Sequence, residues 1–570
     1  MHPYALNCLE ERWPVIRRFK IPCLGTVFAF WDVLSDEARR MQIRSGSHLG
    51  NRVRIPLLIR RGRSIHELSK NWSGLVGMRI SLSIRTEKAR SRREPMWSRT
   101  DLMSLAMGSV DRLVWNVRGV TVCLAFSLAC GMGDRAVLAD GPVKMAESPL
   151  DQTTYSVQSQ ITTTGKVQAP TGADQKADLD LKASVEFDFL SRRLPSAGRD
   201  ALALREAREF SKASLTTTVA NYETKAELPA DRRLIVANGH REGIVSYSTQ
   251  GTLTRETLDL LEIPGDPLAL LALLPATEVR VGEEWTPADW VIQMLTGVEA
   301  VESSELKCKL DQATPSTAKV TFQGTIKGQR LGTNTSVAVV GAFLFNLEKQ
   351  YLSQAKTVYT VKSDVGTVNP GLEMQVNTSL TRAPVSRQGR LTDAYLDGIP
   401  LEPSPADLAL EYQAGPWGIT LEHDRDWHLF QAVYDASAPV AILRLVELGS
   451  LIAQCNLSPV PNTVPGRPTP LEKFEADIEA SLGERFGEFV SREKIPTTDG
   501  RQIYRAEVTG NVVMKSTKGR IDLPMHWIYY LVSDPQGRQA SFVFSVEPPL
   551  LEQLKGRDQE LVTSLKFTGQ

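Results

Sequence analysis

The sequence predicts a β-rich α+β chain, with a large long-stranded antiparallel sheet domain followed by a smaller α+β domain. Residues 178–190 (DLDLKASVEFDFL) place Leu179, Leu181, Ala183, Val185, Phe187 and Phe189 on one face. Period 2 sustained over about a dozen residues is a long half-buried strand. Residues 337–345 (VAVVGAFLF) are almost continuously apolar, as suits a strand central in a sheet. Beyond residue 410 the strands mix with an amphipathic helix, whose Leu471, Phe474, Ile478 and Leu482 recur at helical spacing.

The first domain, 140–383, opens with a strand at 153–168 and the one at 178–190. Residues 200–210 (DALALREAREF) read as a short helix. Strands are expected at 214–227, 233–236, 243–248 and 252–260, with Asn238-Gly239 as a hairpin turn. Asp266 as N-cap and Pro267 at the first helical position predict a short buried helix over 268–274, stopped by Pro275. Residues 278–285 form a turn that presents Trp285. Five longer strands follow at 303–312, 318–328, 335–346, 348–361 and 372–381, with Gly341 marking a bulge or bend. Residues 384–409, holding Pro384, Pro400, Pro403 and Pro405, form a Pro-rich linker. In the last domain, 410–570, strands are expected at 426–435, 440–446 and 451–460. Thr469, with Pro470 and Glu472 after it, should cap the helix, and Gly483 should end it. Strands at 501–509, 525–533 and 539–546 complete the sheet, the last two joined by the turn Asp534-Pro535-Gln536-Gly537. A terminal helix turns Leu561, Val562 and Leu565 inward.

The balance of 66 basic and 66 acidic residues hides an asymmetry. Residues 1–106 hold 20 Lys and Arg against 9 Asp and Glu, residues 107–139 are +1, and residues 140–570 are therefore −12. An acidic body gives nucleic acid no electrostatic footing, so no nucleic-acid partner is expected. At the seam lies 119–132 (GVTVCLAFSLACGM), an uncharged run preceded by Met107, Arg112 and Arg118 and followed by Val137 and Ala139. A positive start, an apolar stretch of about 13 residues and small residues before a cut describe a secretory signal peptide over 107–139, cleaved after Ala139. Residues 1–106 lack sustained periodicity and read as a basic upstream extension, disordered or not translated. A transit peptide would be poor in acids, against Glu10, Glu11, Asp36 and Glu37. A cytoplasmic domain before a signal anchor would need a longer apolar span. Export to the periplasm, cell envelope or extracellular space is expected, with no stable membrane span after cleavage.

Chemistry is thinly signalled. Only Cys308 and Cys455 lie in the body, and no CxxC or Cys/His cluster supports a zinc or thioredoxin reading. Whether the two pair is left open. There is no GxSxG elbow, P-loop or GxGxxG. Residues 422–428 (EHDRDWH) are the densest cluster of ligand types. As a strand they put Asp424, Asp426 and His428 on one face, one ligand short of a metal site. A polar strand entry beside a core Trp427 is the preferred account. His526 reads as a strand histidine, His240 as a solvated turn residue, and 515–520 (KSTKGR) as a solvated loop. No catalytic residue, metal ligand or cofactor is assigned, and a non-enzymatic protein is expected. The apolar faces of 179–189 and 337–345 would line a cavity, with Val185, Phe187, Phe343 and Phe345 on its wall, if the sheet curls uncovered. Under a covering layer they are ordinary core, the preferred account.

In the last domain a Trp427 strand precedes a strand pair ending in 451–457 (LIAQCNL). A capped helix, Gly510, the 527–531 strand (WIYYL), the Gly537 hairpin and a terminal helix with 564–567 (SLKF) follow. This order resembles the PsbP-like fold. Members of that fold mostly bind proteins or act as accessory modules, which implies a non-enzymatic binding or structural module that contacts a protein of the bacterial envelope. No binding residue of a particular member carries over. By strand length and apolar alternation, 150–383 is similar to the half-barrel sheets of periplasmic lipoprotein carriers. That implies, as an alternative, a carrier of an apolar ligand or lipid. An enzyme of unrecognised type is the third reading, and it needs polar groups converging in one cleft.

Overall fold

The computed structural model describes residues 113–117, 120–124, 141–148, 151–170, 176–196, 200–241, 243–366, 370–447, 449–516 and 519–569. Ala139 and most of 107–139 lie outside them. Leu113–Val117 and Val120–Leu124 form an antiparallel hairpin of their own.

The first domain runs through β1 (Thr154–Pro170), β2 (Lys176–Arg193), β3 (Arg205–Val219), β4 (Tyr222–Glu227), β5 (Leu234–His240), β6 (Gly243–Ser248) and β7 (Leu253–Thr254). Helices α1 (Arg255–Leu261), α2 (Pro267–Leu271) and α3 (Asp289–Thr296) come next, with β8 (Glu284–Trp285) before α3. The chain returns as β9 (Ala300–Ser304), β10 (Lys307–Ala313), β11 (Thr317–Arg330), β12 (Thr333–Asn346), β13 (Tyr351–Ser363) and β14 (Gly371–Val385). All but β7 form one 13-stranded sheet in the order β8-β10-β11-β12-β13-β14-β1-β2-β3-β5-β6, with β9 beside β11 and β4 beside β3. Every pairing in it is antiparallel.

That order explains the helices. The first and last long strands, β1 and β14, pair in the middle of the sheet, so between its two meanders the chain must pass from the β6 edge to the β8 edge. The passage carries α1, α2 and α3. Their buried Leu258, Leu261, Leu268, Leu271, Ile292 and Leu295 share one core with Val157, Ile161 and Val185 from the strands. Gln158, Gln160, Thr162 and Thr164 alternate with these on β1 and face solvent.

Local expectations fail where pairing or capping overrides pattern. Within 200–210 only Asp200–Ala203 makes a helical turn. Strand β3 starts at Arg205, because Arg205, Glu206 and Arg208 pair with β5. The single strand expected at 214–227 breaks at Ala220, where φ is 54°, into β3 and β4. Residues 252–260 become helical after Thr254, whose Oγ1 accepts from the Thr257 N–H. Asn238-Gly239 lies inside β5 and the hairpin turns after His240. Gly239 serves a close approach instead: a Cβ there would stand 2.4 Å from Ala201 O. Gly341 makes no bulge but leaves room for the Phe322 ring, and the register shifts between Leu344 and Phe345. Residues 303–312 divide into β9 and β10. The Asp266 cap forms as expected, its Oδ1 accepting from the Leu268 N–H at 2.9 Å.

The segment 384–409 is anchored to the sheet. It carries α4 (Asp393–Asp397) and α5 (Pro405–Leu408) and buries Leu391 and Leu396 against Leu190, Ala207, Val236 and Tyr247. Buried Arg192 donates to Leu391 O at 2.6 Å, and buried Arg205 to Pro400 O at 2.8 Å.

The last domain comprises β15 (Leu410–Ala414), β16 (Ile419–His423), β17 (Trp427–Val433), β18 (Val440–Glu447), β19 (Ser450–Val460) and α6 (Leu471–Leu482). It continues with β20 (Phe486–Ile495), β21 (Gln502–Ser516), β22 (Gly519–Ser533), β23 (Gln539–Val546), α7 (Leu551–Leu554), α8 (Arg557–Thr563) and β24 (Lys566–Phe567). Seven strands form a sheet in the order β17-β18-β19-β23-β22-β21-β20. Strand β22 is buried on both faces. Trp527, Tyr529 and Leu531 pack with Phe474, Ile478 and Leu482 of α6, while Ile528, Tyr530 and Val532 pack with Leu561, Val562 and Leu565. Thr469 does not cap α6. Pro470 holds that position, and Thr469 Oγ1 bonds Gln539 Oε1 at 3.0 Å.

A small sheet, β24-β16-β15-β7, joins the two domains, with Leu410 parallel to Leu253. Arg255 donates to the carbonyls of Arg425 and Trp427. The turn at Leu331-Gly332 meets Gly449 backbone to backbone, and a Cβ on Gly332 would lie 2.4 Å from Gly449 O.

Candidate ligand cleft

At this junction six segments line a cleft of about 280 Å³. The end of β5 supplies His240, and β6 supplies Ile244 and Val245. The α1–α2 connection supplies Leu261, Glu262, Ile263 and Asp266, and the end of α3 supplies Met294, Leu295 and Thr296. Arg330 comes from the end of β11, and Arg425 from the turn after β16. Its lining combines apolar side chains with His240, Glu262, Asp266, Arg330 and Arg425.

Each charge has a definable state. Arg425 donates from Nε to Leu408 O at 3.0 Å and from Nη2 to Ser246 O at 2.7 Å, and its Nη1 lies 3.5 Å from Glu262 Oε1. Glu262 keeps 36% of its side chain exposed, and the desolvation that pushes its carboxyl up toward about 7, with Arg425 opposing the shift and Asp259 adding to it, is screened by that solvent contact. Desolvation likewise lowers Arg425, against the pull of Glu262. Asp266 is neutralised by Arg208, whose Nη1 and Nη2 donate to its two oxygens at 2.6 and 2.7 Å while Nε donates to buried Glu206 at 2.6 Å. Arg330 differs: it makes no hydrogen bond or ion pair among the described residues, though Glu262 feels its charge. It lies against Gly297, the left-handed C-cap of α3, where a Cβ would be 2.7 Å from Nη1. A cation at a helix C-terminus is favourably placed.

Behind the cleft, between α3 and β11–β14, is a small cavity of about 20 Å³ lined by Thr335, Val337, Tyr359, Val361, Ser363, Leu372 and Met374. It shares Pro264, Leu295, Thr296 and Arg330 with the cleft. Tyr359 is buried on this face, and its hydroxyl reaches the Thr357 hydroxyl beside it on β13 at a geometry short of a full hydrogen bond. Burial lifts that phenol above its ordinary range. Thr163 and Thr217 carry unpaired buried hydroxyls on the same face. A buried unpaired polar group costs about 1–3 kcal/mol.

The residues singled out in sequence fall as follows. Val185, Phe187, Phe343 and Phe345 are all buried in the core under the helices, and none lines the cleft or the small cavity. Asp424 and Asp426 lie in a turn, not a strand. Asp424 Oδ1 accepts the N–H groups of Asp426 and Trp427, and Arg557 donates to both carboxylates at 2.8 and 2.7 Å. His423 Nδ1 lies 2.6 Å from Asp424 O. His526 is buried with Nε2 3.2 Å from Glu507 Oε2. His240, read as a solvated turn residue, lines the cleft. Cys308 and Cys455 are separate buried free thiols, and burial pushes Cys308 up to about 12, far from a reactive thiolate. The side chains of 515–520 lie outside the described residues. Among the described residues no group of His, Cys, Asp and Glu could hold a metal ion, and no helix is long and apolar enough to cross a membrane.

No protein-family model matches the chain, and no curated protein matches it in sequence. Among solved structures, the chain is similar to CyanoP, the cyanobacterial PsbP of Synechocystis sp. PCC 6803, with 17% identity over 28% of this chain and 92% of that one and a TM-score of 0.22. Lipovitellin, described for its lipid–protein interactions, matches with 9% identity over 42% of this chain and 26% of that one, at a TM-score of 0.24. The outer membrane protein OmpT of Vibrio cholerae matches with 9% identity over 70% and 99%, at a TM-score of 0.12. At these scores the likenesses carry no functional argument.

Proposed function

We propose that the protein is an exported, non-enzymatic binding protein of the bacterial envelope, and that its sheet domain takes an apolar or amphiphilic small molecule. The cleft carries this reading: a lining of apolar and charged side chains opens beside a sheet face that holds unsatisfied buried hydroxyls. Ligand sites combine a mostly apolar lining with a few placed polar groups. Support for binding rather than catalysis comes from the histidines. His240, His423 and His526 sit in separate surroundings, and the acids beside the latter two hold structural arginines. Export rests on the 107–139 pattern. The last domain, PsbP-like in its element order, is proposed as the accessory module that contacts an envelope protein.

Native mass spectrometry of the purified chain tests the binding reading. The expected result is an added mass that is released on denaturation and is soluble in organic solvent. Repeated recovery of the bare chain from its producing cells would remove the proposal. A mature N-terminus starting at Asp140 is expected from export, and an intact Met107 segment on the mature protein would contradict it.

A further inference from the structure

We infer that Arg330 is the gate and head-group anchor of one continuous site, formed by the cleft and the small cavity behind it, and that the site takes a single-chain anionic amphiphile. The inference rests on the binding reading above and adds the site and the ligand class.

Arg330 lines both spaces, and of the four residues that do so it alone has a long flexible side chain. Because it makes no hydrogen bond or ion pair among the described residues, moving it breaks none. As it stands, the inner cavity of about 20 Å³ has room for a water-sized group. Rotation of the guanidinium out of the partition merges that space with the cleft of about 280 Å³.

The inner end asks for an acceptor. Arg330 brings a guanidinium without a hydrogen bond or ion pair among the described residues, and Tyr359, which lines the same cavity, brings a buried phenol whose hydroxyl has only the Thr357 hydroxyl beside it. A carboxylate or phosphate oxygen satisfies both, and charge-assisted bonds in a desolvated site are the strong ones. Other charges direct the anion inward. Glu262 sits at the mouth beside Arg425, whose nitrogens are already engaged by Leu408 O, Ser246 O and Glu262, and Asp266 is held by Arg208. His240 is the remaining titratable group in the lining. The outer cleft suits a hydrocarbon chain, with Leu261, Ile263, Ala269 and Met294 in its lining. The ligand therefore lies head inward, with its chain directed to the mouth.

The test is a titration of the full chain with a 16-carbon fatty acid, a lysophospholipid and the matching fatty alcohol, for wild type, Arg330→Ala, Arg330→Gln and Tyr359→Phe. Melting curves confirm that each variant folds. The expected result is saturable binding of an anionic ligand to wild type, weakened about tenfold or more in both Arg330 variants and about threefold in Tyr359→Phe. The alcohol should bind weakly and be indifferent to residue 330. A preference for the fatty acid or for the lysophospholipid assigns the head group as carboxylate or phosphate, and supports the site in either case. If acid and alcohol bind wild type equally and Arg330→Gln binds like wild type, the Arg330 site is overturned while the binding reading stands. If no chain-bearing ligand binds wild type at all, both fail together.

Discussion

Tyr530 and Tyr359 both lie within large antiparallel sheets, both are almost wholly buried, and burial lifts both phenols. Tyr530 donates to Asp558 Oδ2 at 2.6 Å and accepts from Arg505 Nε at 2.8 Å. Tyr359 has only the weak contact with the Thr357 hydroxyl beside it, and no charged partner among the described residues. The contrast extends to the domains. Among the described residues, the buried hydroxyls of Thr163 and Thr217 in the sheet domain have no partner. The last domain closes its polar groups on one another around Arg505, Glu507, His526, Tyr530 and Asp558. The sheet domain leaves donors facing inward beneath three short helices. One is a finished module, and the other has an interior that a ligand would complete.

The largest effect should come from the part of the sheet domain that is fully paired. Arg208→Met leaves Glu206 and Asp266 as buried carboxylates without their cation, and urea unfolding near pH 7 should show a loss of about 3–5 kcal/mol. A loss under 1 kcal/mol would mean that this pair is not sealed as described. The two tyrosines then sharpen the comparison, because one substitution should act differently in each. Tyr530→Phe removes a hydrogen bond from the buried Asp558 carboxylate, which keeps Arg505, and should cost about 1–3 kcal/mol in the same assay. Tyr359→Phe removes a hydroxyl with no charged partner among the described residues and should cost under about 0.5 kcal/mol. Equal losses at the two positions would erase the distinction between the domains.

The smallest effect is electrostatic. Glu262 has its carboxyl lifted from the ordinary 4.5 toward about 7, a shift screened by the 36% of its side chain left exposed, so the folded state weakly prefers the protonated form. That contribution is fully present below the ordinary value and is lost as pH rises through about 7. Melting temperatures compared between about pH 5 and 8 should fall more in wild type than in Glu262→Gln. Parallel curves would place Glu262 in a more open environment than the one described.

What was legible in the sequence is what has a local signature. Residues 178–190 announced β2 through alternation, and Asp266-Pro267 announced α2 through its cap. Helix α3 was missed because its buried Val291, Ile292, Met294 and Leu295 fill barely two turns, too few for the period to register. Residues 205–210 looked helical because their charges gave no sign of Asn238, Pro400 and Asp266, the distant partners that hold them in a strand. The cleft was illegible for the same reason. His240, Glu262, Arg330 and Arg425 come from four segments, brought together by the pairing of β1 with β14, the passage of α1–α3 between the sheet edges and the small sheet that joins the last domain to β7. Residues 328–332 could be read as a turn, but not as the turn that sets a cation against the end of α3.

The central claim is that the helical cover of the sheet domain yields to a ligand while the last domain stays closed. Hydrogen exchange of the full chain, with and without a 16-carbon fatty acid, tests it most directly. Amides of 261–266 and of α3 should exchange faster than those of β12 and β13 without ligand and slow when it is added, with α6 unchanged in both states. Protection of α3 equal to that of the strands, and unaltered by the fatty acid, would contradict the account.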